Sequence, residues 1–93
     1  MRLDIFLKIS RLIPRRSLAQ EFCDAGLVKV NDATAKSSKE VKAGDEIEIK
    51  RRNRLTKIAV VEVPGKKQIS KSDSESLYNV ISDELLPDED RLP

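Results

Sequence analysis

The chain has 93 residues, only three of them aromatic, with no histidine and a single cysteine, Cys23. A chain of this length buries roughly 60 to 70% of its surface on folding, so we expect one small core of Leu, Ile, Val and Ala, which Cys23 joins. The composition lacks the usual general base, the usual transition-metal ligand and any pair of cysteines for a disulfide or a zinc site. We therefore expect no catalytic residues, no metal and no cofactor.

The net charge of +2 conceals an uneven distribution. Residues 1 to 57 hold fourteen Lys or Arg against eight Asp or Glu, net +6, whereas residues 58 to 93 hold four against eight, net −4. A basic body of this kind indicates an acidic partner. The N-terminal stretch MRLDIFLKIS carries charges within its apolar part, and no run approaches the ~20 apolar residues of a membrane span. We therefore expect a cytoplasmic protein with no membrane partner.

Two short helices are predicted first. Apolar residues recur at helical spacing over residues 3–13, and Pro14 is expected to end this helix. The second helix begins at Ser17, where Ser17 and Gln20 have the spacing of a capping box, or two residues earlier. Gly26 is its expected end.

Three strands follow the helices. The period changes to two in LVKVN at 27–31, and Asn31 with the next residue supplies turn chemistry. DEIEIK at 45–50 predicts a second strand and LTKIAVVEV at 55–63 a third, paired antiparallel with the second across the RRNR turn at 51–54. That turn also carries enough charge to contact phosphate, and the sequence does not separate the two roles.

The C-terminal third has a different character. Residues 65–74 are polar and rich in Ser and Lys, which is typical of a linker after a domain at 1–64. Apolar residues at 77, 80, 81 and 85 then predict an amphipathic helix over 75–86, which either docks on the domain or awaits a partner. We expect a disordered tail at 87–93.

In order, RLDIFL, Arg11, RRSLAQEF, Gly26, LVKVN and VKAGDEIEI resemble the S4 RNA-binding domain over residues 1 to about 50. This resemblance implies an α+β fold: a two-helix hairpin packed on a small, mostly antiparallel sheet of three to five strands, followed here by the short C-terminal helix. In that family the basic face of the hairpin lies against structured RNA. Two residues depart from its pattern, since Arg15 stands where Ser or Thr is usual and Asp32 where Gly is usual.

Among small stand-alone members, the chain most resembles the group that acts in ribosome-associated quality control, and more distantly the heat-shock group. The first resemblance implies a non-catalytic protein that binds the large ribosomal subunit, contacts its ribosomal RNA and the tRNA of a stalled peptidyl-tRNA, and supports tail elongation. A quality-control elongation factor is a further candidate partner, and we expect a monomer when free. Alternatives are a heat-shock-type factor that recycles large subunits carrying nascent chains, and a protein adaptor acting through the C-terminal helix. An RNA-modifying enzyme is disfavoured because no nucleophile and base can be paired.

The candidate RNA-binding residues are basic and form two groups, one on the predicted hairpin and one in the loop after the first strand. They are Arg2, Lys8, Arg11, Arg15 and Arg16, and then Lys36 and Lys39. Clustered guanidinium groups repel one another unless phosphate is bound, which favours RNA over a merely solvated face. For the two loop lysines, solubility is an equal alternative. We assign Asp4 and Asn31 to orientation and support, because a lone carboxylate near a helix start usually caps it or pairs with arginine.

Overall fold

A computed structural model describes residues 1–65 and 69–85 of the chain. The element order within these residues is α1 (Leu3–Ile9), α2 (Arg16–Asp24), β1 (Val28–Val30), β2 (Ala33–Thr34), β3 (Glu46–Arg51), β4 (Arg54–Val60), α3 (Lys71–Glu75) and β5 (Tyr78–Leu85). The strands form one sheet in the order β2-β1-β3-β4-β5, and every neighbouring pair is antiparallel. The expected α+β class is confirmed, with its helical hairpin and a short helix near the C-terminus. None of the described helices is long and apolar enough to cross a bilayer.

Helix α1 ends earlier than predicted. It stops at Ile9, because Arg11 has φ of 62°, in the left-handed region that interrupts a right-handed helix. Ile13 is still 1% exposed, since its N–H donates to the carbonyl of Leu7 at 3.1 Å and holds the segment against the helix. Pro14 therefore lies in the connection between the helices, and the prediction that it ends α1 is wrong.

Helix α2 begins at Arg16 and lacks the predicted capping box. Its N-cap is Arg15, which makes no side-chain cap hydrogen bond. Gly26 follows the helix with φ of 75°, the left-handed conformation expected after a helix end. The side chain assigned to the capping box, Gln20, bonds instead to α1, as described below.

The hairpin of β1 and β2 turns through Asn31 and Asp32. Both have positive φ, 52° and 67°, as a two-residue type I′ turn requires. Asp32 thus adopts the conformation that its family usually gives to glycine, since aspartate tolerates this region better than most residues. The departure at this position leaves the turn intact.

The core lies between the helical hairpin and the central strands. Leu3, Phe6 and Leu7 of α1 are fully buried in one cluster with side chains of β3 and β4, including Ile47 and Ile58. Burying each such side chain stabilises the fold by about 1.5 to 3 kcal/mol before the entropy of ordering is counted. The hairpin is therefore fixed to the sheet as a rigid platform.

The C-terminal segment departs from the predicted helix over 75–86. Residues Tyr78–Leu85 form β5, which pairs with β4 along the whole of that strand. Val80 and Ile81 are β-branched, which suits a strand, and β4 offers its unpaired edge. Residues 71–74 of the predicted linker at 65–74 belong to α3, and β5 completes the sheet beyond the predicted domain boundary at 64; residues 66–68 of that linker lie outside the described residues.

The spacing of the apolar residues is the reason why the helix prediction over 75–86 is wrong. Leu77 precedes β5 and is 3% exposed in the core, whereas Val80, Ile81 and Leu85 are 57%, 50% and 73% exposed. The four residues therefore share no common face. The tail predicted to be disordered at 87–93 lies outside the described residues.

Candidate RNA interface

The interface is organised around the buried carboxylate of Asp4 in the first turn of α1, which is 0% exposed. Its Oδ1 accepts from the N–H of Ile5 at 2.8 Å and from Arg2 Nε at 3.2 Å. Its Oδ2 accepts from Gln20 Nε2 at 2.8 Å, Arg16 Nε at 3.1 Å and Arg2 Nη2 at 3.3 Å. Burial opposes ionisation, but the hydrogen bonds from Gln20, Arg16, Arg2 and the backbone outweigh it and lower the pKa of Asp4. Asp4 is therefore a carboxylate at neutral pH.

Two arginines meet at this carboxylate and remain open to solvent. The side chains of Arg2 and Arg16 are 45% and 46% exposed. Arg16 uses only its Nε, and within the described part of the chain its terminal amino groups have no acceptor. One negative charge holds two positive ones, so a net positive charge with unused N–H donors faces the solvent. This arrangement suits a phosphate group.

The loop after β2 runs beside the start of α1. The N–H of Leu3 donates to the carbonyl of Lys39 at 2.7 Å, and the N–H of Asp4 donates to that of Ser37 at 3.1 Å. These bonds bring the loop lysines to the same end of α1 as the paired arginines, where Arg15 also stands exposed at the N-cap of α2. We call this set the basic surface; its members are Arg2, Arg15, Arg16, Lys36 and Lys39.

Lys8 and Arg11 stand farther from the basic surface. α1 has seven residues, which corresponds to a length of about 10 Å; Lys8 lies in its last turn and Arg11 follows its end. Lys8 is exposed, one turn beyond Asp4. Arg11 reaches the C-terminal segment, where its Nη2 donates to the carbonyl of Ile69 at 3.5 Å. The structure thus joins Arg2 and Arg16 at Asp4, places Arg15 and the backbone of the loop with Lys36 and Lys39 at the same end of α1, and places Lys8 and Arg11 toward the other end.

Asn31 connects the β1–β2 turn to the start of β3. Its Oδ1 accepts from the N–H of Glu46 at 3.0 Å, and its Nδ2 donates to Asp45 Oδ1 at 3.1 Å. Burial opposes ionisation of Asp45, but bonds from the N–H of Lys42 and from Asn31 outweigh it and lower the pKa of Asp45. Asn31 therefore supports the sheet next to the basic surface.

Two residues of this region have contacts that the sequence did not reveal. Gln20 joins α2 to Asp4 on α1, although they lie 16 positions apart. Arg51, in the turn whose role was left open, donates from Nη2 to the carbonyl of Leu12 at 2.6 Å and from Nη1 to Thr56 Oγ1 at 3.3 Å. Arg51 thereby fixes the connection between α1 and α2. Neither contact has a local sequence signal.

The lone cysteine, Cys23, has a structural role. Cys23 is buried in the core, where burial, and then the charges of Asp4 and Asp24, raise the pKa of its thiol to about 11. No group of three metal-ligating side chains occurs among the described residues. Arg54, at the start of β4, pairs with Asp83 at 3.4 Å, and Asp83 Oδ1 also accepts from Thr56 Oγ1 at 3.1 Å.

A helical hairpin with exposed paired arginines, packed on an antiparallel sheet, defines an RNA-binding module of the S4 type, and residues 1–47 match the S4 domain family. The chain is 43% identical over 83 residues to the RQC P-site tRNA stabilizing factor of Streptococcus pneumoniae, covering 89% of this chain and 92% of that protein. It is 41% identical over 86 residues to the factor of the same name from Bacillus subtilis, covering 92% and 98%. The chain belongs to the family of RQC P-site tRNA stabilizing factors, a group of S4 domain proteins without catalytic function.

Two solved structures share the fold. The trimeric Heat Shock Protein 15 of Vibrio cholerae has a TM-score of 0.79 at 27% identity, covering 88% of this chain and 82% of that one. The solution structure of the hypothetical protein HP1423 has a TM-score of 0.78 at 34% identity, covering 90% of this chain and all of that one. The expected resemblance to the quality-control group, with the heat-shock group as a structural neighbour, is confirmed.

Proposed function

We propose that this protein binds RNA on the ribosome and stabilises P-site tRNA during ribosome-associated quality control, as the name of its relatives describes. It acts without catalysis, in the cytoplasm, and as a monomer when free. Its RNA ligands are the ribosomal RNA of the large subunit and the tRNA of a stalled peptidyl-tRNA, and its binding supports elongation of the tail. A quality-control elongation factor is a further proposed partner on the same subunit.

The observation that carries this proposal is the pair of half-exposed arginines on one buried carboxylate. Arg2 and Arg16 would repel each other if Asp4 did not lie between them, within 3.3 Å of both. Phosphate oxygens supply the acceptors that the remaining guanidinium N–H groups lack. Helical RNA hides its base edges in a deep major groove, so such a surface recognises RNA by backbone and shape.

The residues proposed to contact RNA are the basic surface, extended along α1 by two further side chains. The complete set is Arg2, Lys8, Arg11, Arg15, Arg16, Lys36 and Lys39, with Asp4 and Asn31 in supporting roles. Because the hairpin is fixed to the sheet by a shared core and Asp4 binds both Arg2 and Arg16, these two guanidinium groups are held in a constant arrangement. A rigid arrangement reduces the entropy lost on binding.

Stabilisation of the tRNA follows from linkage. A factor that binds the tRNA-occupied subunit more tightly than the empty one favours the occupied state by the same free energy. This requires contact with both RNAs, or with a surface formed only when the tRNA is in place. The heat-shock-type alternative requires no such preference, so binding to subunits with and without P-site tRNA distinguishes the two functions.

The test compares two arginine variants that remove the same charge. Arg16 and Arg54 are each paired with an aspartate, and their side chains are 46% and 49% exposed. Arg16→Ala is expected to weaken binding to large subunits carrying peptidyl-tRNA about tenfold to a hundredfold, since hydrogen bonds to charged groups contribute about 1.5 to 3 kcal/mol. Arg54→Ala is expected to stay within about twofold of the parent protein. Equal effects of the two variants would contradict a specific role for the hairpin.

A further inference from the structure

We infer that Gln20 is a positioning residue for RNA binding: it occupies Asp4 Oδ2 and thereby keeps the terminal amino groups of Arg16 turned toward the phosphate. The inference rests on the proposed function and adds a residue to it. The Gln20 Nε2 to Asp4 Oδ2 distance is 2.8 Å, the shortest of the side-chain contacts to this carboxylate. Gln20 itself is only partly exposed and carries no charge.

Three side-chain donors share Asp4 Oδ2. An aspartate carboxylate offers about four lone-pair positions, and here five N–H groups approach them. Arginine and carboxylate prefer a parallel, two-bond fork. Arg2 adopts it, with Nε on Oδ1 and Nη2 on Oδ2, whereas Arg16 bonds to Oδ2 through Nε alone and shares that oxygen with Gln20.

The Asp4 carboxylate is shielded from solvent. Asp4 is 0% exposed, so water cannot readily replace a lost donor. Arg16 and Gln20 are four positions apart on α2 and therefore neighbours on one face. If the Gln20 amide is removed, Oδ2 loses its shortest donor, and a terminal amino group of Arg16, whose Nε already bonds to this oxygen, can take its place. The same group would then be lost to phosphate.

The variant that tests this is Gln20→Met, which keeps length and helix propensity and leaves the net charge unchanged. The assay is binding to large ribosomal subunits carrying P-site tRNA over a series of salt concentrations. We expect affinity to fall about three- to tenfold. We also expect the slope of log affinity against log salt to become shallower by roughly 0.7 to 0.9, the value of one phosphate contact. A structural role alone would weaken binding without changing this slope.

Two companion variants separate the possible outcomes. Ser17→Ala, an exposed substitution on the same helix, is the matched control and should bind like the parent protein. If Arg16→Ala loses affinity and slope while Gln20→Met retains both, the inference about Gln20 is overturned and the proposed function stands. If neither variant changes binding, the proposed function fails as well. If Gln20→Met loses affinity with an unchanged slope, the positioning role is also overturned.

A second variant and an RNA-free measurement keep the inference testable if Gln20→Met does not fold. Gln20→Asn retains the amide but is one methylene too short to reach Asp4, so it should reproduce the loss of slope. In the free parent protein, nitrogen-15 NMR should show slow hydrogen exchange at Arg16 Nε–H and fast exchange at its terminal amino groups. Equal protection of all Arg16 N–H groups would mean that the terminal amino groups are already hydrogen bonded, which contradicts the inference.

Discussion

Replacing Leu77 by alanine should destabilise the whole domain, although Leu77 lies beyond the predicted domain boundary. Leu77 is 3% exposed in the same core as α1, and its carbonyl accepts from the N–H of Val61 at 2.8 Å. Truncating a buried leucine costs about 2 to 5 kcal/mol through lost transfer energy and the cavity left behind. A chain of this length has a total stability of about 5 to 14 kcal/mol. The variant should therefore lose a large share of it, with a melting temperature lower by about 4 to 8 °C per kcal/mol.

Leu85→Ala provides the matched control because it makes the same substitution at a side chain that is 73% exposed. It should change the free energy of unfolding by no more than about 0.5 kcal/mol. Urea unfolding is conveniently followed by the fluorescence of Tyr78, the single tyrosine in a chain without tryptophan. Tyr78 begins β5 and pairs with Val60, so its signal reports on the docking of that strand. Circular dichroism reports on the helices in the same samples.

The two signals should give one coincident transition in the parent protein, since β5 belongs to the sheet. Fluorescence that changes at a lower urea concentration than the helical signal would show that the C-terminal segment is a separate unit. Equal stability of Leu77→Ala and Leu85→Ala would refute the packing argument.

Three further outcomes follow from individual side chains. Folding lowers the pKa of Asp4 and Asp45, so the stability that these carboxylates contribute is complete above the ordinary pKa of 3.8 and is lost as the pH falls below it. The melting temperature should therefore decline below pH 3.8. A melting temperature that stays constant down to pH 2 would contradict this prediction. Cys23, with its pKa raised to about 11, should react with a thiol reagent at pH 8 only as fast as the protein unfolds, and rapid labelling of the native protein would place it at the surface. Arg51→Lys should lower the free energy of unfolding by about 1 to 3 kcal/mol because it removes two hydrogen bonds of the Arg51 guanidinium, whereas Arg15→Lys, at an N-cap without a side-chain cap hydrogen bond, should change it by less than about 0.5 kcal/mol; equal losses in urea titrations would count against the role of Arg51.

The strands that were predictable are those with strict alternation. Residues 45–50 and 55–63 predicted two paired strands, and the structure has them at Glu46–Arg51 and Arg54–Val60. Alternation works here because one face of each strand is buried against the hairpin. The positive φ of Asn31 and Asp32 also agrees with turn chemistry that is readable from residue type.

The predictions of secondary structure were wrong where contacts between residues distant in sequence determine the local structure. The segment at 78–85 has apolar residues at helical intervals, but the open edge of β4 makes it a strand. The end of α1 is set by the left-handed backbone conformation of Arg11, which an arginine at that position does not indicate. Short apolar segments of this kind are ambiguous between helix and strand without knowledge of their neighbours.

The hydrogen bonds among the candidate site residues could not be predicted from the sequence. Arg2, Asp4 and Arg16 follow from the resemblance to the S4 family. The bond between Gln20 and Asp4 joins two helices, so no spacing rule within one helix could indicate it. The same is true of the loop that carries Lys39 to the start of α1.

The central claim is that the hairpin and the loop beside it meet RNA on the large ribosomal subunit. The most direct measurement is ultraviolet crosslinking in cells, followed by sequencing of the attached RNA and mass spectrometry of the attached peptides. We expect large-subunit ribosomal RNA together with tRNA, joined to peptides from residues 1–16 and 36–39. Crosslinks confined to messenger RNA, or joined only to peptides of β5, would contradict it.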